Sequence, residues 1–592
     1  MADVIERVRG GLSPWLWLVA DAGVAALVAV PAETLLLYLL SPDLALTLGG
    51  FASTALALTP QVIGLFVLAG PALVALGNVF AVGRTTRTGI QPRYVLHFLL
   101  LDCALLAIAA AWQWQGVGHL LAGPARAALA LTITSLLVAT VLLAVLALLL
   151  ARRPSLWPTP WIVAVSLGLL VALGVAAELR RVRPERPRPL VLGTFPPTRG
   201  VLLVEVPGLS REQLGEGVRL GSVPALASVV ERGTLLPVAG GPVPDTVALH
   251  ATLVTGKGPR DHGILGSVRY RPLFARRSFA ILPRGLFLRR LLGTPLWEKV
   301  PVDWRSLTAI ALPEIARGVG VPMAIVGDPL AWPSTEDATR VSWTDRRLAP
   351  GALVPMPGEI PPVICPEFPA GEVAERFFDP PASRLRDTPR LARLVGDALA
   401  RDLCALHVAR ELARADRWPL LQVRLSGYYQ VAYQFAGWRP GSPARAVSDL
   451  EVAAYGRVML RYVRELDPPL GALFEAAPGR LVVVVSEHGM EPRRDVRRLL
   501  AELVGRTTPT GTHAGPPPGL VAFAGEGVRS GQRLSEDVPL ASILPTLLWG
   551  AGLPPGEDMG PLLPEVFEEE WVVAHPPAPV PSWGVPPAPR SR

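Results

Sequence analysis

The sequence predicts a multi-span α-helical membrane domain followed by an exported α/β domain, its sheet largely parallel with helices on both faces. Three observations carry this. The 592 residues are 50% hydrophobic with a mean hydropathy of +0.37, too apolar for an ordinary chain surrounded by water. Long apolar stretches are concentrated before Leu179, each near the roughly 20 residues that a bilayer-spanning helix needs. Beyond Val191 the pattern changes to short apolar β runs alternating with helical stretches, the order of an α/β domain.

The apolar stretches are Pro14 to Leu40, Pro60 to Val82, Tyr94 to Trp114, Ala127 to Leu150 and Pro158 to Ala177, read as five spans. Asp21, Glu33 and Asp102 interrupt them; a carboxylate at membrane depth is expected to face a partner helix or a wet cavity. The first stretch is too long for a removable signal peptide and has no small-residue cleavage site before the next. Arg7 and Arg9, then Arg84, Arg87 and Arg93, then Arg152 and Arg153 fall on alternate sides of the spans. Arginine marks the cytoplasmic side, which puts the N-terminus in the cytoplasm and, after five crossings, exports the C-terminal domain across a bacterial inner or plasma membrane. The organisation expected is a membrane domain over 1–181, a Pro/Arg-rich linker over 182–197, an α/β domain over 198–572 and a Pro-rich disordered tail over 573–592.

Residues 1–190 hold 13 Arg or Lys against 8 Asp or Glu, so +5 of the formal +8 belongs to the membrane portion. The basic balance therefore points to a lipid bilayer, not to nucleic acid. Of three cysteines, Cys103 lies in a span; Cys365 and Cys404 can form one bridge or stay as buried thiols.

VLLVEV (Val201–Val206), MAIVG (Met323–Gly327), LLQVRL (Leu420–Leu425) and LVVVVS (Leu481–Ser486) are apolar enough to be buried central strands. Ligands of open α/β sheets gather at the C-terminal ends of such strands. There LVVVVS runs into Glu487 and His488, two metal-ligand types side by side, and GTHAGPPPG puts His513 on a later loop. Thr246, after PVPD, stands at a predicted helix start, where free N–H groups and the macrodipole favour an alkoxide and a phosphate.

An ordered series of motifs then resembles the alkaline phosphatase superfamily, in its type I phosphodiesterase/nucleotide pyrophosphatase branch. TVALHATLVTGKGPRDHGI is similar to the family's nucleophile segment. PLWEKV and GVGVPMAIVGDPLAWPSTE resemble the helix, strand and WP loop that follow. SEHGM resembles SDHGM, GTHAGPPPGLVAFAGEGVRSG the last histidine segment, and SILPTLLWGAGLPPGEDMG the closing helix. The series spans nearly all of residues 198–570. The resemblance implies a Thr nucleophile attacking phosphorus in line, with metal ions polarising it and stabilising the leaving oxygen. The several spans before the α/β domain also resemble lipoteichoic acid synthase-like and phosphoethanolamine transferase-like proteins.

Carried over residue by residue, the ligand set is degenerate. The Asp expected after the first strand is Pro207; Glu205, two residues earlier on the same strand face, is a substitute candidate. The Asp-x-x-x-His pair falls on Tyr429 and Tyr433, poor ligands at neutral pH. Thr246 as nucleophile, with Glu487, His488 and His513 as ligands, remains. His250 is a candidate assistant one turn after Thr246, Lys257 and Arg260 are candidate anion contacts, and His262 is read as fixing its turn. Each has a plainer reading: Thr246 as an N-cap, Glu205 as an edge, structural or locally paired acid, His250 as a structural or solvent-facing residue, Glu487 with His488 as a structural pair, His513 as a loop histidine, Lys257 and Arg260 as solvated charges. Two functions follow. One is a pseudoenzyme that binds a phospholipid or envelope glycan headgroup, or a protein partner, without turnover. The other is an active single-metal phosphodiesterase or phosphotransferase acting through phospho-Thr246. The cofactor is accordingly one Zn or Mn ion, or none.

Overall fold

The computed structural model describes residues 14–39, 41, 44, 46–80, 92–118, 123–152, 174, 186–239, 245–280, 296–337, 339–441, 447–493, 509–513 and 517–585. The chain divides into two units, 1–184 with 268–302, and 185–267 with 303–592.

The first unit contains α1 (Pro14–Leu39), α2 (Leu48–Phe80), α3 (Pro92–Val117) and α4 (Gly123–Arg152). Each is long and apolar enough to cross a membrane. The second begins at Leu48, earlier than the expected Pro60, because TALALTP continues the helix through Pro60. The fifth expected span, Pro158 to Ala177, lies outside the described residues except for 174. Asp21 and Asp102 are buried within the bundle, as a carboxylate at this depth requires. Small residues of α1 (Ala22, Ala25, Ala26, Ala29) pack in one core with Phe66 and Phe98. An antiparallel ribbon, Val268–Pro272 with Trp297–Pro301, belongs to this unit. Its Tyr270 and the nearby Phe279 join the same core, with Phe279 edge-on to Tyr38 at 5.2 Å. PLWEKV, expected to be helical, is thus largely a strand, and its partner residues rather than its own composition decide that.

The second unit is built on an eight-stranded sheet: β1 (Val201–Glu205), β2 (Gly233–Val238), β3 (Met323–Val326), β4 (Arg340–Trp343), β5 (Leu420–Arg424), β6 (Leu481–Ser486), β7 (Gly519–Ala524) and β8 (Gln532–Arg533). The order is β8-β2-β7-β6-β1-β5-β3-β4, and only β7 opposes its neighbours. The four strands read from the sequence are the adjacent central ones, apolar because both faces are covered. Three helices matter for the site: α5 (Thr246–Thr255), α6 (Thr388–Ala415) and α7 (Ser426–Phe435). Cys365 and Cys404 are bonded, Sγ to Sγ, at 2.07 Å, which ties α6 to the short strand Val363–Ile364 that runs into Cys365. The tail expected to be disordered is held as far as Val585. Trp583 is buried, its Nε1 donates to the Pro554 carbonyl, and Gly584–Val585 pair with Arg188–Pro189. One indole supplies the anchor that a proline-rich composition hides.

Candidate functional site

Parallel register places the charged ends of three adjacent strands together. Glu205 is opposite Arg424 on β5 and Val485 on β6, and Glu487 follows β6 directly. Side chains in register share a face, so Glu205 and Arg424 meet. Nη1 of Arg424 donates to Oε2 of Glu205 and to Oε1 of Glu487, and all three side chains are buried. Gln422, two residues back on the same face, donates to Oε1 of Glu205 at 2.7 Å. His250 on α5 completes the cluster, its Nδ1 2.8 Å from Oε2 of Glu205. Burial alone would raise the Glu205 carboxyl, but its close contacts with His250 and Arg424 outweigh it and hold it well below the usual carboxylate range. Burial opposes the Arg424 charge too, yet Glu487 and Glu205 hold the guanidinium even more firmly protonated.

His250 thus turns to Glu205, in keeping with its structural reading rather than with the role of an assistant to Thr246. Arg424 instead reaches the Thr246 carbonyl at 3.4 Å. The start of α5 is not open either. Asp245 is its N-cap, and its Oδ1 accepts from Val247 N at 3.0 Å and Ala248 N at 3.3 Å, while Oδ2 accepts from Ser267 N at 2.9 Å. A carboxylate thus holds the N–H groups that would cradle a phosphate. At its other end α5 stops at Gly256, whose φ of 63° is the left-handed cap that the TG of the motif requires.

The other expected metal position is filled by rings. Tyr429 and Tyr433 stack at 6.0 Å on one face of α7, and both rings lie 5.8 Å from that of His513. The Tyr429 hydroxyl is 3.1 Å from Nδ1 of His513, and Arg493 bonds the Tyr433 hydroxyl at 3.1 Å. Burial pushes the Tyr429 phenol up, further from the phenolate a metal would need. His488 sits edge-on to Tyr429, with Nδ1 2.6 Å from the Gly489 carbonyl. Burial lowers its basicity, so the ring stays neutral with Nε2 as the free lone pair. Nε2 of His488 and Oε2 of Glu487 are both buried without a hydrogen-bond partner. Pro207 lies in the turn after β1, where the following Gly208 N donates to the His488 carbonyl at 3.1 Å.

Ligand atoms of Glu205, His250 and Glu487 lie within 4.8 Å of one another, a donor set of the right types for a divalent ion. It does not fit one, because the guanidinium already bonds both carboxylates. Two unit charges about 4 Å apart interact by about 4 kcal/mol at an effective dielectric of about 20, so a doubly charged ion there meets roughly 8 kcal/mol of repulsion. The Tyr429–Tyr433–His513 group does not fit either, offering two phenols where a carboxylate and an imidazole are needed.

Lys257, expected to meet an anion, is paired with Asp558, which also accepts from Ser582 at 2.7 Å. His262 does fix its turn: Nδ1 accepts from Ile264 N at 3.1 Å and Nε2 meets the Thr252 hydroxyl at 3.0 Å. Arg424 and Asp245 are the residues that sequence reasoning missed. A signal existed for the first: each of two apolar central strands carries one charge near its end, of opposite sign, in VLLVEV and LLQVRL.

Residues 201–506 match the sequence model described as type I phosphodiesterase / nucleotide pyrophosphatase, which is more than half of the chain. Among curated proteins none matches significantly. Similar solved structures include phosphonoacetate hydrolase from Sinorhizobium meliloti in complex with phosphonoformate, 17% identical with a TM-score of 0.30, covering 55% of this chain and 65% of that one. Murine ectonucleotide pyrophosphatase / phosphodiesterase 5 is 13% identical with a TM-score of 0.34, covering 61% and 98%. Wild-type alkaline phosphatase PafA is 12% identical with a TM-score of 0.39, covering 64% and 99%. On its ordered motifs and the match over residues 201–506, the chain belongs to the type I phosphodiesterase / nucleotide pyrophosphatase family of the alkaline phosphatase superfamily.

Proposed function

We propose that this protein is a membrane-embedded, non-catalytic member of its family, whose exported α/β domain binds a phospholipid or envelope glycan headgroup at the cell envelope without turnover. The observation that carries this reading is the pair Tyr429 and Tyr433, standing where the family pattern has Asp and His, with the Tyr429 hydroxyl on the surviving His513. An expelled alkoxide then lacks electrostatic stabilisation, and losing one such aid costs about 3 kcal/mol or more of barrier. The Asp245 carboxylate also takes up the N–H groups at the start of α5 that would stabilise a phosphoryl group on Thr246. The test is hydrolysis of a phosphodiester by the full chain with added Mn²⁺ or Zn²⁺, with Thr246→Ala as control. No Thr246-dependent turnover is expected; phosphate trapped on Thr246 overturns the reading.

A second reading, an active phosphodiesterase or phosphotransferase of envelope phosphate esters, is favoured by one observation. Oε2 of Glu487 and Nε2 of His488 are buried without partners, as groups awaiting a ligand are. These two groups follow one another directly after β6, and the same assay decides between the readings.

A further inference from the structure

We propose that Arg424 is the resident cation of this site, taking the place of a divalent ion between Glu205 and Glu487, so that the native protein holds no metal there. The inference deepens, and rests on, the non-catalytic reading above.

Glu205 and Glu487 are fully buried, and two carboxylates in such a place require a cation. One nitrogen supplies it: Nη1 of Arg424 bonds both. A guanidinium does not lose its proton in proteins, so the charge is permanent. The position is built rather than incidental, because strand register fixes Arg424 opposite Glu205 and Gln422 takes up the other Glu205 oxygen. Around that nitrogen stand a carboxylate, an imidazole and a second carboxylate, Nδ1 of His250 lying 3.5 Å from it. Those three donor types suit a zinc-like ion, and the guanidinium bonded to both carboxylates stands in its way. Removing the Arg424 side chain should convert a metal-refusing cluster into a metal-binding one.

The experiment measures zinc per chain, by mass spectrometry of full-length protein purified in detergent and equilibrated with Zn²⁺. Arg424→Ala is expected to take up about one equivalent more than wild type, and Arg424→Ala with Glu205→Gln to lose that gain. Wild-type uptake is expected to be unaltered by Glu205→Gln. A folded Arg424→Ala that gains nothing overturns the inference, and so does wild-type zinc that Glu205→Gln abolishes. Should Arg424→Ala not fold, the wild-type and Glu205→Gln comparison decides alone. Thr246-dependent turnover by metal-free wild type would sink the non-catalytic reading and leave this inference standing; Glu205-dependent zinc without turnover would do the reverse.

Discussion

The Tyr429 hydroxyl lies 3.1 Å from Nδ1 of His513, so a phenol holds the histidine that in the family pattern helps to hold an ion. Tyr429 and Tyr433 are one turn apart on α7, and an acid and an imidazole at those positions would converge on His513. The variant carrying both Tyr429→Asp and Tyr433→His is therefore expected to gain about one zinc per chain, and to lose it on adding His513→Ala. Arg493 beside Tyr433 opposes the ion, so Arg493→Gln should tighten binding. Zinc titration with a fluorescent competitor reads both effects; no gain in the first variant would refute the assignment of these positions.

Glu205 is buried against Arg424, His250 and Gln422. Breaking a buried pair from one side leaves the other charge exposed to an apolar surrounding, which costs about 3–5 kcal/mol. Glu205→Ala is expected to lower stability by that amount and Glu205→Gln by less. Denaturant unfolding followed by tryptophan fluorescence checks it. A change near zero would show that the cluster is not buried as described.

Burial pushes the His262 imidazole down to about 3. Its folded value lies below the ordinary value near 6.5, so its contribution to stability is complete above about pH 6.5 and is lost as pH falls towards 3. Protonation of Nδ1 would also remove the bond from Ile264 N. Wild type should lose up to about 1.4 kcal/mol per pH unit through this group between about pH 6 and 4. His262→Gln is expected to flatten that slope, read from thermal midpoints against pH; parallel curves would count against the role.

The Cys365–Cys404 bond closes a loop with a sequence separation of 39, for which chain entropy gives stabilisation of about 4 kcal/mol. Replacing both cysteines by alanine should lower the unfolding midpoint, and the native protein should shift in non-reducing electrophoresis. Such bonds persist in oxidising compartments, so thiols that remain free in protein taken from its native membrane would also count against export of this domain.

Much of the site was readable as residues but not as a cluster. Thr246, Glu487, His488 and His513 stand out because motif spacing marks them, and Tyr429 and Tyr433 because the same spacing marks what they replace. Arg424 carries no such mark. Its partners are 219 and 63 residues away, and only the pairing of β1 with β5 brings them within reach. Asp245 was visible as a polar residue before a helix, yet whether its carboxylate turns back onto the helix or outward is a matter of local backbone angles.

By itself the sequence determined the division into an apolar helical portion and an α/β portion, the four central strands, and the three positions, Pro207, Tyr429 and Tyr433, that depart from the motifs it resembles. These follow from composition, periodicity and motif order, all local in the chain. Only the tertiary structure decided what occupies the emptied positions: a guanidinium between two acids, stacked phenols on a histidine, and a capping carboxylate at the helix start. Side chains far apart in sequence compete for one small buried volume, and strand register and packing choose among them.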